Sequence, residues 1–205
     1  MAWRNNTALL RGRVAGPAAL SHISRGTPYY SFPMETVRLS GAADRVNVIL
    51  PGSLLPGLPP PGGRARVEGE LRSFNNRSGS GSRLVLYVYA QSLGSDPEPA
   101  EEDMNEVILC GVLCRDPIWR RTPMGREICD LMLAVNRRYG RADYLPCIAW
   151  GRNAEEAALW RQGQPLSLQG RFQSRLYLKN EGGKSTEKTA YEVSVAAFDL
   201  TYAGD

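Results

Sequence analysis

Residues 136–151, NRRYGRADYLPCIAWG, interleave Arg137, Arg138 and Arg141 with Tyr139, Tyr144 and Trp150. So many arginines do not suit a core strand, and so much ring does not suit a solvated loop. Together they suit a surface whose ligand offers flat apolar faces and negative charge at once. Rings stack on flat faces. Guanidinium forks onto phosphate and also lies on a ring, which ammonium does poorly. The mixture recurs at Arg171, Arg175 and Tyr177, and in DPIWRRTP (116–123), read as a loop, where Trp119 stacks on a ligand or packs at a subunit contact. Trp160, beside Leu159, reads as packing, and Phe172 faces either side of its strand.

Other chemistry is poorly supplied. Cys110, Cys114, Cys129 and Cys147 form no C-x-x-C pair, and the single histidine, His22, is far from them. That spacing argues against zinc and for buried thiols in a reducing compartment. No Ser-His-Asp set and no G-x-x-x-x-G-K loop is present. Acids gather in one stretch instead of forming a metal-binding nuclease cluster. The expectation is a binding protein with no catalytic residues, metal or cofactor.

The 205 residues carry a net charge of +4, and 22 of the 25 basic residues are arginine. The charge is uneven: +7 over residues 1–93, −5 over GSDPEPAEED (94–103), and +2 over 104–205. A basic surplus focuses anionic partners. No apolar stretch approaches the roughly 18 residues of a membrane helix, and the N-terminus has no signal-peptide core, so a cytoplasmic location is expected.

These residues are held by elements that occur twice. NTALLRGRV (6–14) echoes NEVILCGVL (105–113). Gly26, Arg38, Gly41 and Asp44 meet Gly125, Arg137, Gly140 and Asp143 at the same spacing. VEGELRS (67–73) echoes LQGRFQS (168–174), and LVLYVYAQSL (84–93) echoes YEVSVAAFDL (191–200). One long period indicates a duplicated domain. The boundaries read as 1–93, an acidic linker at 94–103, and 104–205. Each copy is strand-rich, with a glycine inside its first strand where a small barrel must bend. In the second copy NAEEAALWRQG (153–163) predicts a helix from Asn153 to Gly163. The prolines of SLLPGLPPPGG (53–63) predict a turn and a polyproline crossover at the matching place. NNRSGSGS (75–82) and residues 178–188 read as loops. The expected class is all-β: two tandem five-stranded OB-fold barrels, the second with a short helix between strands 3 and 4.

NEVILCGVLCRDP, TPMGREICDLMLAVNRR, ADYLPCIAWGRNAE and QGQPLSLQGRFQSRLY, in this order over 105–200, resemble the bacterial single-stranded-DNA-binding protein (SSB) family. The first copy resembles it more distantly. The resemblance implies base stacking at Tyr139, Tyr144, Trp150 and Tyr177. Independently, every base has a π-face, so rings hold single strands of any sequence, and arginines release counterions from phosphate. Arg137, Arg138, Arg141, Arg171 and Arg175 are the nearest cations, with Trp119 a further ring.

At the matching positions the first copy has Ser40, Arg45, Pro51 and Asn76. Its stacking set is missing, and Tyr29, Tyr30 and Phe32 read as a core strand. It either grips phosphate through Arg38, Arg45, Arg72 and Arg77 or scaffolds the assembly. The resemblance further implies sequence-tolerant single-stranded DNA binding in replication, recombination and repair, near the nucleoid. It also implies a homodimer with four OB folds. The chain stops almost on its last strand, where the family has an acidic tail, so tail recruitment is expected to be absent and a specialised role favoured. A replication-restart accessory of the primosomal N type and an RNA-binding OB protein are the alternatives.

Overall fold

The computed structural model describes residues 5–77, 82–95, 102–181 and 184–200. Most of the expected linker, the centre of the loop expected at 75–82, residues 182–183 and the C-terminal 201–205 lie outside the described residues. The rest of the loop expected over 178–188 is instead strand, continuing the two paired strands on either side of it. The chain is mostly β. The first half runs β1 (Asn6–Val14), β2 (Ala19–Ser24), β3 (Thr27–Val37), β4 (Ala43–Pro51), a 3-10 helix (Gly52–Gly57), β5 (Arg64–Asn75) and β6 (Leu84–Ser95). The second runs β7 (Met104–Leu113), β8 (Ile118–Arg121), β9 (Glu127–Arg137), a 3-10 turn (Arg138–Gly140), β10 (Arg141–Trp150), α1 (Arg152–Ala157), β11 (Pro165–Glu181) and β12 (Lys184–Asp199).

Alternation sets the faces. On β1, Ala8, Leu10 and Val14 are buried, while Leu9 and Arg11 are partly exposed. The pairings then return to their start. β1 pairs with β3, β3 with β4, β4 in parallel with β6, β6 with β5, and β5 with β1. The second half repeats the circuit through β7, β9, β10, β12 and β11. Antiparallel pairing of β1 with β7 joins the halves into one twelve-stranded order.

One edge of β1 serves two partners. Asn6 to Arg11 pair with β7, and Arg13 and Val14 pair with β3. Gly12 stands at the switch, where a Cβ would run into the Glu35 carbonyl oxygen. Gly111 does the same on β7, against the Ala134 carbonyl. Strand glycines at bends permit this close backbone approach.

Three further pairs repeated in sequence, Asn6 with Asn105, Asp44 with Asp143 and Ser73 with Ser174, are fasteners. Asn6 spans to β5: its Nδ2 donates to the Leu71 carbonyl at 2.7 Å, and its Oδ1 accepts from Leu71 N at 2.9 Å. Asn105 makes the same pair with Phe172, at 2.8 and 2.9 Å. Between the halves, Ser73 N donates to Asp143 Oδ1 at 2.8 Å and Tyr144 N to Ser73 Oγ at 2.9 Å. The reciprocal pair is Ser174 N to Asp44 Oδ1 at 3.1 Å and Arg45 N to Ser174 Oγ at 2.9 Å. Asp44 and Asp143 are fully buried, so each needs these donors.

Several expectations are corrected. Both halves carry an additional strand, β2 and β8, each folded against its successor. Trp119 therefore lies on a strand and not in a loop. The helix ends at Ala157 and does not reach Gly163, and its N-cap is Gly151, not Asn153. Ala154, Ala157 and Trp160 turn into the core, with Trp160 edge-on to Phe198 at 4.7 Å. Beyond Trp160, Asp116 captures the Gln162 N–H at 2.7 Å, which fixes the chain away from the helix axis. In the first half a 3-10 helix with Pro56 inside it begins the segment expected to be a polyproline crossover. Phe172, left open in sequence, is core.

Candidate nucleic-acid interface

Register assembles the outward face of the second half. Ile118, Asp130, Ile148, Ser194 and Arg171 are successive partners across β8, β9, β10, β12 and β11. The adjacent row, Cys147, Val193 and Phe172, belongs to the core cluster and marks the inward side, while Ile148 and Ser194, at the centre of the outward row, are buried outside that cluster. Side chains alternate with a period of two, so Tyr144 and Trp150 on β10 share the outward side with Arg175 and Tyr177 on β11. Tyr144 is 48% exposed and Tyr177 38%. The Arg175 guanidinium lies 5.8 Å from the Tyr177 ring centre, and its Nε donates to Glu192 Oε1 at 3.2 Å.

The remaining candidates divide. Tyr139 is 97% exposed, in the turn after β9 with a left-handed backbone (φ 66°), beside exposed Arg138 and Arg141. Arg137 lies on the inward register and sits 3.4 Å from Asp143 Oδ1. Trp119 pairs with Cys129, which pairs with Ala149, both buried, so its register opposes that of Trp150. It sits instead with Arg121 at 5.7 Å from its ring centre. Arg120 is the cation the sequence reading missed. It shares a row with Ile128 and Trp150, and it forks onto Asp130 at 2.6 and 3.1 Å. The signal was its alternation with Trp119, legible only once β8 is a strand.

This face opens onto a cleft of about 1480 Å³ between the halves. Trp150, Arg171 and Arg175 line it from the second half, and Arg38 and Arg45 from the first. Arg171 is poorly satisfied there. Its Nη2 donates to Gln173 Oε1 at 3.1 Å, but its buried Nε has no hydrogen-bond partner and lies 3.7 Å from Asp44 Oδ2. Burial lowers the Arg171 pKa, and the neighbouring Arg38 charge adds to this against the pull of Asp44. Such a guanidinium gains from an incoming anion.

Two of the four first-half arginines expected to grip phosphate are committed elsewhere. Arg38 forks onto Asp44, which raises its pKa chiefly by hydrogen bonding. Arg72 pairs with Glu70 and, at 3.0 Å, with Asp143 Oδ2. Arg45 is exposed, with Nη2 on the Ala15 carbonyl at 3.2 Å, and Arg77 is exposed. Tyr29 corrects the core-strand expectation. Phe32 is buried and Tyr30 packs on the core, but Tyr29 lies two residues from Ser31 in an outward row with Ile49, Tyr89 and Glu70.

Residues 104–201 match the single-strand binding protein family. A relative, single-stranded DNA-binding protein 2 of Clostridium acetobutylicum, is 36% identical over 99 residues, spanning 44% of this chain and 74% of that protein. The single-stranded DNA-binding protein of Halalkalibacterium halodurans is 38% identical over 86 residues, and the match spans 38% of this chain and about half, 51%, of that relative's length. The chain belongs to the single-strand binding protein family. The crystal structure of the single-stranded DNA binding protein from Thermus aquaticus superposes with a TM-score of 0.76 at 24% identity, covering 98% of this chain and 94% of that one, a likeness of fold.

Proposed function

We propose that the chain binds single-stranded DNA without regard to sequence, by stacking bases on Tyr144, Trp150, Tyr177 and Tyr139 while arginines meet the phosphates. One observation carries the reading: a register spanning five strands sets Tyr144, Trp150, Arg171, Arg175 and Tyr177 on a single outward face. Rings supply affinity at about 1–3 kcal/mol per base. Arg171 and Arg175 border the cleft that a backbone would cross, with Arg45 opposite.

In this reading each circuit of five paired strands is an OB-type barrel. Residues 1–93 and 104–205 are its two copies, and 94–103 is the connection. Two chains pair into a four-barrel dimer at the nucleoid. The protein acts by binding and carries out no reaction.

Titration of intrinsic tryptophan fluorescence with oligo-dT at several salt concentrations tests the function. Quenching should be strong, log K should fall with log salt at about 0.7 per phosphate contact, and Trp150→Ala and Tyr177→Ala should each weaken binding. Absence of binding at low salt would overturn it.

A further inference from the structure

One carboxylate is buried within the outward face of the second half. Glu192 on β12 is only 9% exposed and pairs across the ladder with Gln173 of β11. Val193 beside it is core, so Glu192 points to the outward side. A negative charge there repels the phosphates that Arg171 and Arg175 would meet, and burying it costs desolvation. Charge alone gives no reason for it.

Its hydrogen bonds do. Glu192 Oε1 accepts from Gln173 Nε2 at 2.9 Å and from Arg175 Nε at 3.2 Å. The first bond fixes which way the Gln173 amide faces, so that its Oε1 accepts from Arg171 Nη2 at 3.1 Å. The second holds Arg175 by Nε, so its two Nη groups are not used by the carboxylate. Paired guanidinium donors are what grip a phosphate. The same guanidinium lies 5.8 Å from the Tyr177 ring centre. Four outward residues of β11, Arg171, Gln173, Arg175 and Tyr177, are thus tied to one residue of the neighbouring strand. The influence of Glu192 reaches further: Arg120 is held above its ordinary pKa chiefly by its hydrogen bonds to Asp130, and the Glu192 charge adds to this.

The repeat exchanges this contact as a unit. Gln173 pairs with Glu192 as Arg72 pairs with Tyr87, so Tyr87 stands at the place of Glu192 and Phe74 at that of Arg175. Those two rings meet edge-on at 6.0 Å. An acid comes with an arginine in one half and a ring with a ring in the other, so the two positions act as a pair.

We propose that Glu192 is a positioning residue for single-stranded DNA binding, acting through Arg175 and Gln173 to hold the arginines of β11 and the Tyr177 ring as one surface ready for a strand. The proposal rests on the single-strand reading above. Donors and rings that are already held in place lose less freedom when a ligand arrives, and that gain offsets the repulsion from one carboxylate.

The test is a mutant cycle in the full chain, read by oligo-dT titration at several salt concentrations. Charge and positioning predict opposite signs. Glu192→Ala and Glu192→Gln both remove a negative charge, so charge alone should tighten binding. Loss of positioning should weaken it, by about 5-fold or more for Glu192→Ala, the lower end of one stacked base. The salt slope should also fall by about 0.7, the share of a single phosphate contact. Glu192→Gln keeps the packing and an accepting oxygen, and should weaken binding by less. In an Arg175→Ala background the loss should largely disappear. Oligo-dT carrying 5-iododeoxyuridine should lose photocrosslinking yield at Tyr177 and keep it at Tyr144. Tighter or unchanged binding by the Glu192 variants would overturn the proposal, and so would equal losses with and without Arg175. In either case Trp150→Ala would still weaken binding and the function would stand. Absence of any oligo-dT binding by the unaltered chain would overturn both.

Discussion

The two halves share one scaffold and differ in where each puts its rings and charges. On β11 the outward residues are Arg171, Gln173, Arg175 and Tyr177. The repeat places Glu70, Arg72 and Phe74 at the same points of β5, and Asn76 just past its end. On β12, Glu192 and Ser194 stand where β6 carries Tyr87 and Tyr89, because Val193 and Val88 hold the same place in the parallel pairing. A ring lost from one strand is thus replaced by rings on its neighbour. A loss of aromatics judged along one strand is a statement about position, whereas an outward face is a property of the whole ladder.

The fasteners are what the halves keep in common, and breaking them should have the largest effect. Asp143→Ala removes the acceptor for Ser73 N and leaves Arg72 and Arg137 without their buried partner. Losing one side of a buried ion pair costs about 3–5 kcal/mol, so a large drop in the midpoint of chemical unfolding is expected. Asp44→Ala should behave alike, since Arg38, Arg171 and Ser174 N converge on it. A much smaller loss for one of the two would show that the junction is not symmetric.

Next come the bending glycines. Gly12→Ala and Gly111→Ala each drive a methyl into a carbonyl oxygen, and overpacking of this kind costs about 1–3 kcal/mol. Gly94→Ala, where a Cβ meets nothing, should be nearly silent in the same thermal melts.

Binding separates the halves at the next scale. Tyr177→Ala should weaken oligo-dT binding about 10-fold by fluorescence titration. Asn76→Ala, its counterpart in the repeat, should leave affinity within about 2-fold on the same stacking argument.

The smallest effect concerns thiols, which only the second half has. Burial, helped by the neighbouring Asp130 charge, pushes Cys129 up to about 11. An unfolded thiol ionises near about 8.5. The folded-state pKa is the higher one, so the contribution of neutral Cys129 is complete below about 8.5 and is lost as pH rises through about 11. Melting temperature should decline across that window, and Cys129→Ala should flatten the decline.

Much of this was legible in the sequence. The spacing that aligns Asn6 with Asn105 and Asp44 with Asp143 identified the fasteners before their role was visible, because each must meet a fixed backbone donor. Tyr144, Trp150 and Tyr177 stand near arginines in the sequence, and the register puts the three rings on one outward side. The short strands β2 and β8 were not, since IWRR and ALSHIS are exposed along their length and lack the alternation that burial imposes. Tyr29 was misread because TPYYSF puts rings on both faces in succession. Tyr87 and Tyr89 carried a usable sign, Y-V-Y with valine inward, but their meaning depended on strands distant in the chain.

The shared edge of β1 has a consequence for synthesis. The first circuit of strands is complete once Ser95 has left the ribosome, yet Asn6 to Arg11 lack their β7 neighbour until Leu113 follows. At about 5–20 residues per second this leaves a bare strand edge for roughly 1–4 s. Nascent chains on neighbouring ribosomes of one messenger could pair there. A short connection between the halves limits that exposure by delivering β7 from the same chain first.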